Sequence, residues 1–85
     1  MNEKKLTKLL MAQANRYNVK RVKVAKQGNG HFQVTAWIGN GTVIVNGAPA
    51  TTTTADKHVA QNVLKRVREA YKLGDNSAAY GGGKA

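Results

Sequence analysis

Residues able to do bond chemistry are few in this chain of 85 residues. Two histidines, His31 and His58, and four acids, Glu3, Asp56, Glu69 and Asp75, make up the candidates for general acid–base work. Their scatter offers no metal-ligand spacing, and the absence of cysteine excludes thiolate zinc sites, disulfides and a cysteine nucleophile. Ser77 lies close to the C-terminus, far from any Ser-His-acid arrangement. Neither a Gly-x-x-x-x-Gly-Lys-Ser/Thr loop nor a Gly-x-Gly-x-x-Gly turn occurs, so no cofactor is expected. His31 is left as the one candidate general base, and its alternatives are a hydrogen bond to its own loop or a phosphate contact. His58 reads as structural or as a phosphate contact.

The chemistry present in quantity is cationic. Fourteen Lys and Arg against four acids give a formal charge of +10 and an isoelectric point near 10.3. Self-repulsion of that size calls for a polyanionic partner. Eight of the cations, Lys4, Lys5, Lys8, Arg16, Lys20, Arg21, Lys23 and Lys26, fall in the first 26 residues with Glu3 as the one acid. Residues 27 to 56 hold none, and Lys57, Lys65, Arg66, Arg68, Lys72 and Lys84 follow. Trp37 adds an indole that could stack a base, cover Ile44 on its own sheet face, or join two subunits. Thr51 to Thr54 could bind an anion at a helix start, although capping is the simpler role.

These side chains need elements to hold them. Leu6, Leu9, Leu10, Gln13 and Tyr17 recur at helical spacing and predict a helix over residues 3 to 17, capped by Asn2 and ended by Asn18, with Lys4, Lys5 and Lys8 on its outer face. Val22 and Val24 alternate with Arg21 and Lys23, a strand over 19 to 26. Gln27-Gly28-Asn29-Gly30 is a turn. Phe32, Val34, Ala36 and Ile38 form one face of a strand over 31 to 38, and His31, Gln33, Thr35 and Trp37 the other. Asn40-Gly41 signals a hairpin to a return strand over 42 to 46, after which Pro49 is expected to leave the sheet. Thr53 and Asp56 resemble a capping box for a second helix over about 54 to 72, which Gly74 stops. Val59, Val63, Leu64, Val67 and Tyr71 form its apolar stripe, so Tyr71, like Tyr17, is read as core.

The expected fold class is α+β in α-β-β-β-α order. Two helices pack on one face of a three-stranded antiparallel sheet, and the other face is left to solvent or a partner. Residues 1–74 form a single domain and 75–85, including Tyr80, are expected to be a disordered tail. There is no apolar run for a membrane span, no signal peptide is expected from the first residues, and the lack of cysteine suits the expectation of a reducing cytoplasm.

This order resembles that of double-stranded RNA-binding domains over roughly residues 4 to 72. Gly28-Asn29-Gly30-His31 sits where that family has a Gly-Pro-x-His loop. Phe32-Gln33-Val34 is similar to the opening of its second strand, and Val59-Ala60-Gln61-Asn62-Val63-Leu64 to a stretch of its last helix. Where the family clusters lysines at the start of that helix, this chain has Thr52, Thr53 and Asp56, with Lys57 one residue on. Gly30-His31 also resembles a fragment of the Gly-Ser-His motif of HicA-type toxins, which implies a ribonuclease using His31.

The expectation is a non-enzymatic, weakly sequence-specific nucleic-acid-binding protein, with RNA favoured over DNA by the resemblance. Its contacts would come from Lys4, Lys5, Lys8, Arg16, Lys20, Arg21, Lys23, His31, Trp37, Lys57, Lys65, Arg66 and Arg68. The rival readings are the His31 ribonuclease and a small inhibitor, for instance virus-encoded, that docks an acidic protein surface. A homodimer through the open sheet face is the remaining partner considered.

Overall fold

Leu6 and Leu10, one helical turn apart, are fully buried and fix the inner face of α1 (Glu3–Gln13). The computed structural model, which describes residues 2–49 and 56–81, caps this helix as its sequence dictates: Asn2 Oδ1 accepts a hydrogen bond from the Lys5 N–H at 2.8 Å. The last turn tightens into a 3-10 turn, Ala14–Tyr17, and Asn18 ends it at φ 61°, a left-handed conformation that Asn tolerates.

Three antiparallel strands follow: β1 (Val19–Gln27), β2 (His31–Ile38) and β3 (Gly41–Pro49). The period-2 pattern of β2 decides its orientation. Phe32, Val34, Ala36 and Ile38 are buried beneath the helices, with Val22, Val43, Val45 and Ala48 beside them from the neighbouring strands. The second helix, α2 (Asp56–Lys72), closes the layer with Val59, Ala60, Val63, Leu64, Val67 and Ala70. Each fully buried Leu, Val or Phe of this core contributes about 1.5–3 kcal/mol. No helix among the described residues is long and apolar enough to cross a membrane.

The sheet departs from the expected three antiparallel strands. Ser77–Ala79 form a fourth strand, β4, parallel to β3, so the order is β1-β2-β3-β4 and the sheet is mixed. Residues 75–81 are therefore not a disordered tail; residues 82–85 lie outside the described residues. The cause is the end of α2. Gly74 at φ 78° reverses the chain, with Asp75 N–H donating to Ala70 O at 2.8 Å and Gly74 N–H to Tyr71 O at 3.1 Å. The chain then returns alongside β3, where Ile44 N–H donates to Asn76 O and Tyr80 N–H to Asn46 O. Tyr80 packs against the core, and its phenol oxygen accepts from Asn62 Nδ2 at 3.3 Å.

Two further expectations change. The return strand continues to Pro49 instead of ending at 46, because Asn46 and Gly47 together oppose the single residue Gln33; Gly47 takes φ 82° in this bulge. Pro49 ends the strand, facing His31. Tyr71 is not core: it is 41% exposed and lies over the β2–β3 turn. The capping box and the Thr51–Thr54 anion site lie outside the described residues.

Candidate nucleic-acid interface

Cations reach the surface on both sides of the two-layer fold. On the helical side, Lys4, Lys5 and Lys8 are exposed on α1, away from Leu6 and Leu10. Leu9, Ala12, Gln13 and Arg16 face Lys57 and Gln61 of α2 across a groove of about 390 Å³. On α2, Lys57, Gln61, Lys65, Arg68 and Lys72 recur at i, i+4, i+8, i+11 and i+15, which puts them on one stripe of the helix. Two contacts show that this stripe adjoins the first helical segment: the Lys57–Arg16 groove, and the Arg68 guanidinium 4.9 Å from the Tyr17 ring centre.

Arg66 belongs to the other side of α2. Its Nη1 pairs with Glu69 Oε1 at 3.1 Å, and its Nε donates to Tyr80 O at 3.4 Å. It thus anchors the chain beyond β4 and spends its charge on Glu69. Apart from Lys5, it is the one described Lys or Arg with a carboxylate partner. The charges of the basic stripe are accordingly not neutralised from within. His58, in the first turn of α2, is exposed.

The opposite side of the sheet is covered by no other described element. Antiparallel pairing puts directly opposed residues on the same face, so Arg21 and Trp37, Lys23 and Thr35, and Gln27 and His31 are neighbours there. Thr42 adjoins Trp37 and Ile44 adjoins Thr35 from β3, which leaves Ile44 diagonal to the indole. Lys20 is the extra residue of a bulge between Val19 and Arg21. It lines a depression of about 550 Å³ with Trp37, Gly39, Asn40, Gly41 and Thr42. Lys20, Arg21, Lys23 and His31 are exposed, whereas Trp37 is half-buried. The Arg21 guanidinium carbon lies 4.6 Å from the Trp37 ring centre.

The sequence pattern assigns no role to the amides at the far end of this face. Asn46 Oδ1 accepts from Gln27 Nε2 and Gln33 Nε2, each at 3.0 Å, and Gln27 Oε1 accepts from Gly47 N–H at 3.0 Å. Alternation already puts Gln33 on the face of Trp37, but the bulge that delivers Asn46 to both glutamines has no separate signal. The candidate residues thus divide into a helical group (Lys4, Lys5, Lys8, Arg16, Lys57, Lys65 and Arg68), a sheet group (Lys20, Arg21, Lys23, His31 and Trp37), and Arg66 apart from both. No group of three or more His, Cys, Asp or Glu capable of holding a metal exists among the described residues.

No family model, no curated protein and no solved structure matches the chain.

Proposed function

We propose that this chain is a non-enzymatic nucleic-acid-binding protein that holds phosphates on its helical side with little sequence specificity. The observation that carries the reading is the unneutralised stripe of α2, Lys57, Lys65, Arg68 and Lys72, beside Arg16 and the exposed lysines of α1. A row of cations along two packed helices suits the regularly spaced charge of a nucleic-acid backbone better than a compact anion. Such contacts fix position without reading bases. RNA is preferred over DNA on the resemblance to double-stranded RNA-binding domains alone.

The test is a gel-shift panel of double- and single-stranded RNA and DNA, repeated across salt. Affinity is expected to fall by orders of magnitude between about 50 and 200 mM salt, because each phosphate contact releases counterions. A flat salt profile, or no shift with any nucleic acid, would refute the proposal and favour an acidic protein surface as the partner.

A further inference from the structure

We infer that the open face of the sheet is a second nucleic-acid surface, one that takes an unpaired, single-stranded segment by stacking a base on Trp37. The inference rests on the nucleic-acid reading above but concerns the opposite side of the molecule.

The chemistry of this face fits such a strand along its whole length. The four strands contain no Asp or Glu, so no carboxylate from the sheet opposes Lys20, Arg21 and Lys23. The depression beside Trp37 is walled by the indole, Lys20 and Thr42 and bordered by the Gly39–Gly41 turn. A flat base can slide against the ring there, with Lys20 at the rim. The Arg21 guanidinium, 4.6 Å from the ring centre, adds a planar cation to the same stack. From Trp37 the face runs through Thr35 and Lys23 to Gln33, Gln27 and His31, six residues along β2 and ~20 Å at the strand rise. Lys23 lies midway, placed for a phosphate.

At the far end the amides are pre-ordered. Asn46 Oδ1 is occupied by both glutamine donors, which leaves Asn46 Nδ2 as a donor and Gln33 Oε1 as an acceptor without partners among the described residues. A donor and an acceptor on two amides joined by a 3.0 Å hydrogen bond suit the edge of an unpaired base. A base paired in a duplex could reach neither the indole nor these amides, and this selects a single strand. A second copy of the chain is disfavoured, because two such faces would bring Lys20, Arg21 and Lys23 against their own like charges.

The chain has one tryptophan, so its fluorescence reports on this site in the unaltered protein. Titration with oligouridine is expected to quench Trp37 emission, while duplex RNA of the same length binds in a gel shift with little quenching. Trp37→Ala should weaken oligouridine binding by about 5- to 150-fold, the equivalent of one stacked base, with duplex binding little changed. Should Trp37→Ala melt, Lys23→Glu keeps the test open: the site is exposed, and single-strand affinity should fall selectively. Absence of quenching by oligouridine, with duplex binding intact, overturns the sheet-face site and leaves the helical reading standing. Binding of neither ligand overturns both. Emission that shifts with protein concentration alone, together with a dimer mass, would assign the face to a second copy and overturn the inference.

Discussion

The phenol oxygen of Tyr71 accepts a hydrogen bond from the backbone N–H of Asn40 at 3.3 Å, so the last turns of α2 hold the tip of the β2–β3 hairpin. The tyrosine sits at the end of the apolar stripe of its helix, yet its ring covers Gly39 and Gly41 and not the core.

Gly39 should therefore be the least replaceable residue of the turn. It adopts φ 56°, and a Cβ there would collide with the Tyr71 phenol. Gly39→Ala is expected to cost more than the ~1–2 kcal/mol of the left-handed backbone alone. Tyr71→Phe should cost only about 1 kcal/mol for the missing hydrogen bond. Urea denaturation of the two variants gives the order; a Tyr71→Phe loss exceeding that of Gly39→Ala would contradict it.

Removing residues 77 onward should lower stability cooperatively, since β4 and the packing of Tyr80 go together. Tyr80→Ala alone is expected to cost about 1–2 kcal/mol, less than full burial of an aromatic ring because the side chain is only half-buried. At about 4–8 °C per kcal/mol for a domain of this size, a melting curve resolves the change. An unchanged midpoint would mean that β4 adds nothing to the fold.

Much of this architecture is legible in the residue pattern, and the exceptions share a cause. The β2 alternation and the Asn2 cap rest on neighbours within a few residues, so local chemistry decides them. Ser77-Ala78-Ala79 is too short to show a period and owes its strand conformation to β3, more than thirty residues earlier. The extension of β3 to Pro49 likewise depends on a bulge that only pairing with β2 selects. For the candidate site, alternation already places Trp37 with Thr35 and Gln33. Helical spacing alone sets Arg66 across α2 from Lys57 and Arg68; which of those two sides meets α1 is what no spacing within α2 contains.

Reversing Lys4, Lys8 and Lys57 to Glu tests the helical side. All three are exposed, so the fold should survive. Duplex affinity should collapse, and the slope of log affinity against log salt should shrink by about one unit for each phosphate no longer held. Retained affinity would move the phosphate surface elsewhere.

The amide cluster makes a prediction that separates stability from binding. Asn46→Asp keeps an acceptor for both Gln27 and Gln33, so the melting temperature should hold. It also sets a negative charge on the open face and removes the free donor, so oligouridine binding should weaken. Asn46→Ala strands two half-buried donors and should cost about 1–3 kcal/mol. Equal stability of the two variants would show that the cluster does not order the face.

Labelled RNA incubated with the protein should stay intact, and His31→Ala should change nothing in that assay while binding is at most slightly reduced. Cleavage by the unaltered protein that His31→Ala abolishes would establish the ribonuclease reading instead.

The parallel pairing of β4 with β3 has a consequence for the order of folding. Antiparallel β1, β2 and β3 are joined by tight turns and can zip together from their own hairpins. The Ile44–Ser77 pair, by contrast, closes a loop that contains all of α2, so its entropy is lost before any of its hydrogen bonds form. The final strand therefore docks last, onto a hairpin and helix already in place. Amide exchange at Tyr80 should outpace that at Val34 or Val45, which marks β4 as the point where unfolding begins.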